Sequence, residues 1–230
     1  MKLDPPNSIP FIQNTPELKN IAILVPVKSI SNAKNRLSAH LTITQREALV
    51  QQMLKGVLTV LADHCPDLHK VVVTNDAWAI ELGASLGFEI IRELTQRSES
   101  DSVDAACEQL EQRGFQGVLR LPLDLPLIEY EALNALLDAI RKGAPVILVP
   151  SHEGTGTNAL FRSPPTRFAS HFGPDSLRLH AEATRASGCE PLILQSPTLA
   201  LDIDEPADLK ALHTLAPAHP VSRFYQLLKD

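Results

Sequence analysis

The sequence predicts one α/β domain with a mostly parallel sheet between layers of helices. From residue 21 onward, apolar runs of strand length alternate with helical patterns of about 10 to 15 residues, which is typical of βαβ units. The chain has 230 residues, of which 44% are hydrophobic, enough for a continuous core. No linker-like segment divides it. We therefore expect a leader over residues 1–20 and a single domain over residues 21–230.

Short apolar runs predict the strands of this sheet. The first, Ile21–Val25, is apolar throughout, as expected for a strand that helices cover on both faces. The later runs are Val71–Val73, Phe88–Arg92, Val118–Leu121, Val146–Val149, Asn158–Phe161 and Leu192–Leu194. Beyond Pro150 the alternation of strands and helices is less regular.

The predicted helices lie between these runs. A capping box at Thr44–Glu47 is followed by a helix-period apolar stripe from Leu49 to Leu61. Further helices end at a glycine, which favours the left-handed backbone that commonly follows a helix. They are predicted from Asn75 to Gly87, from Asp101 to Gly114, from Tyr130 to Gly143 and from Ser176 to Gly188. A final helix is predicted over Pro206–Thr214.

Charge and composition exclude several classes of function. The formal net charge is −6 and no basic run offsets it, so we expect no nucleic-acid binding. The longest apolar stretches have about six residues, whereas a membrane span takes about 20. The N-terminus lacks the basic and apolar regions of a signal peptide, so we expect a cytoplasmic protein. The three cysteines form no CxxC pair, which argues against a disulfide framework and a zinc knuckle.

The loop after the first strand is strongly basic. Ligands of an open parallel sheet bind beyond the carboxyl ends of its strands, so such loops are the candidate sites. This one carries Lys28, Lys34 and Arg36 within nine residues and no acid. In an acidic protein that cluster favours binding of a triphosphate through side-chain charge; the alternative is a solvated basic loop. It matches neither the Walker A nor the GxGxxG pattern.

Three aspartates follow later strands. Asp124 is the single acid in an apolar loop that Pro122 and Pro126 stiffen. Asp202 and Asp204 are two positions apart in a stretch expected to be extended, so their side chains point to the same side. Together they predict a magnesium site, because Mg²⁺ prefers carboxylate oxygens and clustered acids repel each other without a cation. Turn hydrogen bonding by Asp124 and an N-cap role for Asp204 are the alternatives.

Two glycine-centred turns follow in the second half of the chain, at Gly154–Asn158 and Phe172–Ser176. Their amides and hydroxyls could hold a phosphate or a carboxylate, and Ser176 lies at the predicted start of a helix. Ordinary turn and cap chemistry explains them equally well. The eight histidines show no HxxxH or HExxH spacing, and there is no GxSxG motif.

Taken together, these segments resemble the CofC/FbiD family. The matching segments, in order, are VPVKSISNAKNRLS, LPLDLP, GTGTNAL, FGPDSLRLHAEAT and ALDIDEPADL, over about residues 21–212. The resemblance implies a single-domain, Rossmann-like nucleotidyltransferase of the GT-A type with a mixed, mostly parallel sheet. It also implies a guanylyltransferase of coenzyme F420 biosynthesis. Such an enzyme transfers GMP from GTP to the phosphate of 2-phospholactate, phosphoenolpyruvate or 3-phosphoglycerate and releases pyrophosphate.

The resemblance assigns the charged residues of these loops to the reaction. The family's magnesium ligands correspond to Asp124, Asp202 and Asp204. Lys28 corresponds to a lysine that contacts phosphate, and with Arg36 and Asp124 it is expected to be catalytic. Lys34 is expected to bind substrate phosphates. Because a phosphate monoester is already ionised near neutral pH, no general base is expected.

The remaining assignments concern the two substrates. Contacts to the phospho-acid are implied for Thr155, Thr157, Gly173 and Ser176. Where the family commonly has a Gly-Leu-Asn turn, this chain has Arg97–Ala105, whose Asp-Ser-Val is similar to cytidylyltransferases of the isoprenoid pathway. Nucleotide binding is predicted there, at Ser100 and Ser102. A cytidylyltransferase of the same fold and a nucleotide-binding protein without turnover are the alternatives, and a homodimer contact is expected at Ala216–Pro220.

Overall fold

The computed structural model describes residues 17–93 and 97–228. Of the expected leader, residues 1–16 lie outside the described part, whereas Leu18–Asn20 form a 3-10 turn. Leu18 packs against the core, and the Asn20 carbonyl accepts a hydrogen bond of 2.8 Å from the Gln116 amide. Within the described residues, contacts with the core are therefore made from Leu18 onward.

The described residues form one mixed sheet of seven strands, close to the predicted runs. The strands are β1 (Ile21–Pro26), β2 (His69–Thr74), β3 (Glu89–Arg92), β4 (Gly117–Arg120), β5 (Val146–Pro150), β6 (Thr157–Arg162) and β7 (Leu192–Ile193). Their order across the sheet is β3-β2-β1-β4-β6-β5-β7. All neighbours run parallel except β6, which is antiparallel to β4 and β5. The start of β6 therefore lies at the same edge as the ends of β1 and β4.

Helices cover both faces of this sheet. The α-helices of the described residues are α1 (Ile43–His64), α2 (Ala77–Ser85), α3 (Glu99–Gln112), α4 (Tyr130–Arg141), α5 (Ser176–Ala186), α6 (Pro197–Ala200), α7 (Pro206–Leu215) and α8 (Pro220–Leu227). Helices α1, α2, α4, α7 and α8 contribute to the apolar cluster on one face, and α3 and α5 to those on the other. Within the described ranges, no helix has both the length and the apolar character that crossing a bilayer requires.

Strand β1 explains why the chain folds in three layers. All its residues are buried, and successive side chains of a strand point to opposite faces. Ile21, Ile23 and Val25 belong to the cluster that includes α1, whereas Ala22 and Leu24 belong to the cluster that includes α3. The run is apolar throughout because neither of its faces reaches solvent.

The start of α1 and the end of the helical series differ from prediction. The N-cap of α1 is Thr42 rather than Thr44: the Thr42 hydroxyl accepts from the Gln45 amide at 3.3 Å, and the Gln45 side chain accepts from the Thr42 amide at 2.9 Å. The helix at Pro206 is also not the last, because α8 follows it and packs against α1 and α7. Pro220 stands in the first turn of α8, where its missing amide costs nothing.

A buried arginine fixes the long connection between β6 and α5. Arg162 is 1% exposed and donates hydrogen bonds to Asp104, at 2.7 Å, and to the Phe168 carbonyl. Asp104 in α3 also accepts from the amide and the hydroxyl of Ser170, at 2.9 and 2.6 Å. Helix α3 thereby holds the loop that leads to the turn at Gly173.

His180 in α5 holds the same loop from the other side. Its ring is fully buried, and Nε2 accepts a hydrogen bond of 2.8 Å from the His171 amide. The ring proton must therefore be on Nδ1, which lies 3.0 Å from the Thr157 hydroxyl oxygen and donates to it. Burial, together with the charges of Arg120, His171 and Arg162, lowers the pKa of His180 to about 3. The ring is thus neutral and joins the loop to the start of β6.

We expect the neutral His180 to make the fold sensitive to acid. Its pKa is about 3 in the folded protein, against a reference value of 6.5 that we take for the unfolded chain. Between these two pH values the unfolded chain therefore binds more protons than the folded protein. The stabilisation is complete above the reference pKa and is lost as the pH falls toward 3. Urea unfolding at about pH 7.5 and pH 5 measures this loss. The wild type should lose about 2 kcal/mol more than His180→Gln over that interval, and equal losses would contradict the neutral-ring assignment.

Candidate active site

A cavity of about 660 Å³ opens at the edge of the sheet where β1 and β4 end and β6 begins. This is the position at which open α/β sheets bind ligands. Residues from both predicted substrate sites line it together: Lys28, Lys34, Arg36, Asp124, Thr155, Thr157, Gly173, Ser176, Asp202 and Asp204. The fold thus brings into one cavity side chains that are far apart in the sequence.

Lys34 lies between two of the predicted metal ligands. Its ammonium donates a short hydrogen bond to Asp124 and one of 2.7 Å to Oδ1 of Asp204. The Lys34 side chain is only 8% exposed. Burial acts against the charged form, but the two carboxylates outweigh it and raise the Lys34 pKa. In this structure the residue expected to bind substrate phosphates therefore neutralises two acids.

The third acid, Asp202, faces the same cavity without contacting Lys34. It accepts a hydrogen bond of 3.1 Å from the side-chain amide, Nδ2, of Asn158. Burial raises the pKa of Asp202, and the nearby charge of Asp124 raises it further. The pKa of Asp204 is lowered instead, because Lys34 outweighs the effect of its burial. The carboxylates are thus close enough to repel each other, the condition under which a cation is favoured.

Asp204 does not cap the helix that follows it. Glu205 is the N-cap residue of α7, and the Asp208 carboxylate accepts from the amides of Asp204 and Glu205 at 2.8 and 2.7 Å. Asp208 thereby satisfies amides at the helix start, which lack partners inside the helix. The N-cap alternative is wrong for Asp204, whose side chain contacts Lys34 instead. Beside it, the Ile203 amide donates to the Asp124 carbonyl at 3.2 Å and joins the two acidic segments.

The other two basic residues lie at the rim of the cavity. Lys28 is exposed. Arg36 is 67% exposed, and its guanidinium lies 3.6 Å from Asp204 and 3.5 Å from Glu205. Ion pairs this exposed contribute little stability, so both side chains are available to an anionic ligand.

The opposite wall is built on the starts of β6 and α5. The Ser176 hydroxyl accepts a hydrogen bond of 2.9 Å from the Thr157 amide, and the Thr157 hydroxyl is bonded to His180. Thr155 and Gly173 are exposed, and Gly173 has a φ of 124°, which a side chain would disfavour. Thr157 and Ser176 therefore hold the wall together, while Thr155 and Gly173 lie on its surface.

Ser100 and Ser102 are not among the described residues that line the cavity. The Ser100 hydroxyl accepts a hydrogen bond of 2.9 Å from the Phe172 amide. The buried Ser102 hydroxyl donates one of 2.8 Å to the Ser98 carbonyl, inside the first turn of α3. Each side chain already has a structural partner, and a role in binding the nucleotide stays a prediction for both.

Sequence reasoning missed a charged pair in the cavity wall. Arg120, the last residue of β4, is 5% exposed and forms an ion pair with Glu99 at the start of α3. Its guanidinium carbon lies 4.2 Å from the centre of the Phe172 ring, and it donates to the carbonyls of Thr157 and Asn158 at 3.3 and 3.4 Å. The one indication in the sequence was a charged residue at the end of a buried strand, next to the edge of the sheet where ligands bind.

The donor set fits a hard divalent cation by its chemistry. Asp124, Asp202 and Asp204 offer carboxylate oxygens, which Mg²⁺ prefers over nitrogen and sulfur. As these side chains are arranged, however, no three acidic, histidine or cysteine residues in the described ranges are grouped to hold an ion. Lys34 already lies between two of the acids. Metal binding at this cluster stays a prediction.

Comparison with known sequences identifies the relatives of this chain. A family model described as guanylyl transferase CofC like matches residues 21–218. The phosphoenolpyruvate guanylyltransferase of Rubrobacter xylanophilus is 33% identical over 198 residues, covering 84% of this chain and 93% of the relative. The 3-phospho-D-glycerate guanylyltransferase of Colwellia psychrerythraea is 30% identical over 194 residues, covering 84% and 91%. The 2-phospho-L-lactate guanylyltransferase of Methanothermobacter thermautotrophicus is 32% identical over 192 residues, covering 84% and 83%.

Solved structures are similar to the fold described above. A protein named as a nucleotide-diphospho-sugar transferase, from Desulfovibrio desulfuricans G20, superposes with a TM-score of 0.73 at 17% identity, covering 90% of this chain and 94% of its own. A 4-diphosphocytidyl-2C-methyl-D-erythritol synthase superposes with a TM-score of 0.60 at 15% identity, covering 85% and 97%. These likenesses confirm the predicted single-domain α/β fold.

Proposed function

Because the chain belongs to the family of CofC-like guanylyl transferases, we propose that it transfers GMP from GTP to the phosphate of a small phospho-acid. One observation carries the proposal: a single cavity joins the acidic cluster, the basic loop and the turn at Gly173. The relatives are named for phosphoenolpyruvate, 3-phospho-D-glycerate and 2-phospho-L-lactate. Each of these compounds combines one phosphate with one carboxylate, so we assign an acceptor of that class and a place in coenzyme F420 biosynthesis.

The proposed reaction is a direct attack on the α-phosphorus of GTP. The bond from the acceptor phosphate oxygen to the α-phosphorus forms as the bond to the β-phosphate oxygen breaks, and pyrophosphate leaves. The second pKa of a phosphate monoester is about 6, so the attacking oxygen needs no general base. The described residues that line the cavity include no histidine. His180, behind the wall, has a pKa of about 3 and stays neutral.

Charge neutralisation is the proposed source of catalysis. We assign Mg²⁺ binding to Asp124, Asp202 and Asp204; when bound, the ion supplies positive charge to the phosphate oxygens. Lys28 and Arg36, exposed at the rim, are assigned to the β- and γ-phosphates. The positive charges of these two side chains would stabilise the charge that develops on the departing pyrophosphate.

The acceptor is assigned to the wall formed by the starts of β6 and α5. Thr155 and Gly173 are exposed on that wall, and the N-terminal end of α5 favours an anion. Thr157 and Ser176 act behind them, since their polar groups bond to each other and to His180. We therefore assign direct contact to the first two residues and support to the other two.

A matrix of donors and acceptors tests the proposed function. GTP, CTP, ATP and UTP are each combined with the three phospho-acids and Mg²⁺, and the mixtures are scored for pyrophosphate and for product mass. We expect GTP and at least one acid to give pyrophosphate and a product equal to the acid plus GMP less one water. The reaction without acceptor is the control and should release none.

Other outcomes of this matrix favour the alternatives. Preference for CTP would indicate a cytidylyltransferase, which the Asp101–Val103 segment resembles and whose fold this chain shares. Nucleotide binding in a thermal shift assay without pyrophosphate from any pair would indicate a protein without turnover. Either result would overturn the guanylyltransferase proposal.

Two further proposals concern the setting of the enzyme. We assign it to the cytoplasm, where its nucleotide and phospho-acid substrates are made, with small molecules rather than nucleic acids or membranes as its partners. We also assign a homodimer contact to Ala216–Pro220, the turn between α7 and α8. Leu215, the last residue of α7 before that turn, is 68% exposed and offers apolar surface for the contact.

A further inference from the structure

Lys34 occupies the space that the assigned metal ion needs. Its ammonium bonds to carboxylate oxygens of Asp124 and Asp204. Bound Mg²⁺ requires its oxygen ligands at about 2.0 to 2.1 Å and demands near-octahedral geometry. The Lys34 ammonium bonds to Oδ2 of Asp124 and Oδ1 of Asp204, so an ion that binds through these two oxygens must displace it. The two cations therefore compete for the same oxygen atoms.

The backbone around Lys34 is shaped to place its side chain there. Lys34 has a φ of 53° and a ψ of 44°, the left-handed region that residues with a side chain rarely adopt. It stands between two 3-10 turns, Ile30–Asn32 and Asn35–Leu37. Unfavourable backbone conformations persist where the surrounding contacts enforce them, and they cluster at functional sites. The contacts of Lys34 are the two ion pairs of its ammonium and a hydrogen bond of 2.9 Å that its carbonyl accepts from the Leu37 amide.

We propose that Lys34 is an internal counter-ion that keeps the metal ligands occupied until the nucleotide arrives with the metal. The inference rests on the proposed function, because it takes Asp124, Asp202 and Asp204 as the metal ligands. The triphosphate provides what the exchange requires, since its oxygens give the displaced ammonium new anionic partners. Metal binding is then ordered: the free ion binds weakly, and the ion in complex with the triphosphate binds well.

The flexibility of lysine suits this exchange. An ammonium on a four-carbon chain is a mobile point charge, whereas a guanidinium has a fixed fork of donors. Arg36 lies on the far side of Asp204, 3.6 Å away and largely exposed, so it does not block the space between the acids. Removal of the Lys34 charge should therefore open the cluster to a free divalent ion.

Titration of the full chain with Mn²⁺, followed by electron paramagnetic resonance, tests the proposal without using activity. In the absence of nucleotide, Lys34→Met should bind Mn²⁺ about tenfold or more tightly than the wild type, since charge-assisted hydrogen bonds no longer occupy the ligands. Addition of GTP should tighten Mn²⁺ binding much more in the wild type than in the variant. Methionine keeps most of the aliphatic chain that fills the cavity wall.

Lys28→Met is the matched control. It removes one positive charge from the same cavity, but Lys28 is exposed and contacts none of the three acids within the described residues. A general change in the electric field would affect both variants alike, whereas direct competition affects only Lys34→Met. In the absence of nucleotide, we expect the control to change Mn²⁺ affinity less than about threefold. Lys34→Gln is the second variant, used if circular dichroism shows that Lys34→Met is not folded.

The outcomes separate this inference from the proposed function. If folded Lys34→Met or Lys34→Gln binds Mn²⁺ no more tightly than Lys28→Met, the counter-ion role is wrong. If Asp124→Asn also leaves Mn²⁺ binding with GTP unchanged, the metal assignment itself fails. Tight nucleotide-free binding by the Lys34 variants, lost again in the double variant with Asp124→Asn, supports both.

Discussion

Asp124→Asn should lower kcat by about a thousandfold or more and leave the protein folded. Asparagine keeps the shape of the side chain but removes the charge with which it binds a cation. The loss of a metal ligand costs several kcal/mol of transition-state stabilisation. Lys34 keeps Asp204 as a partner at 2.7 Å, so the folded cavity should persist. Steady-state kinetics at saturating Mg²⁺, with circular dichroism as the folding check, measures the effect.

Asp67→Asn is the matched control for this prediction. Asp67 is exposed in the turn between α1 and β2 and is not among the described residues that line the cavity. The change removes one negative charge from the protein without touching the acidic cluster. We expect its kcat to stay within about threefold of the wild type. An Asp124→Asn variant that retains a tenth of wild-type turnover would contradict the metal-ligand assignment.

Asp104→Ala should lower the free energy of unfolding by about 3 kcal/mol. The change leaves Arg162, which is 1% exposed, with its charge unpaired inside the protein. It also removes the acceptor for the amide and the hydroxyl of Ser170. A buried charge without its partner costs more than the pair itself contributes. Urea unfolding at neutral pH measures the difference.

Two further variants isolate the cause of that loss. Glu108→Ala removes an exposed carboxylate from the same helix and should change stability by less than about 0.5 kcal/mol. Adding Arg162→Met to Asp104→Ala removes the orphaned charge, so the double variant should regain at least half of the loss. If the double variant is less stable than Asp104→Ala, packing of the Arg162 side chain rather than its charge is responsible.

Local patterns predicted the strands and helices of the fold because burial restricts which residues these elements can contain. Strand β1 has both faces covered, so its run of apolar residues admits one interpretation. The start of α1 was not decided in this way, because Thr42 and Thr44 each precede a Gln or Glu by three residues. Which threonine caps the helix depends on the tertiary path of the preceding loop. Helix α8 was missed: its first residue, Pro220, belongs to the segment Ala216–Pro220, for which a homodimer contact was predicted and no helix.

Site residues could be predicted where the reactive side chains lie together in one loop. They could not be predicted where residues from distant segments form the site by contacting each other. Lys34 and Asp124 were each identified from their own loop, after β1 and after β4. Because they are 90 positions apart in the chain, no local pattern predicts the contact between them. Arg120 was missed for the same reason. Its carbonyl partners lie at the start of β6, which meets the end of β4 because the two strands run antiparallel. The residues of a strand do not show whether it runs parallel or antiparallel to its neighbours.

The antiparallel direction of β6 also places the turn between β5 and β6 at the cavity, beside the wall proposed for the acceptor. Two hydrogen bonds of 3.0 Å close the base of the turn between β5 and β6. The Ser151 amide donates to the Gly156 carbonyl, and the Gly156 amide donates to the Ser151 hydroxyl. Extra residues inserted beyond these bonds would lengthen the tip without shifting the register of either strand, and surface loops tolerate such insertions at little cost. Acceptor preference could thus diverge through one hairpin tip, and grafting that tip between relatives could exchange the acceptor while the loop after β1 stays as it is.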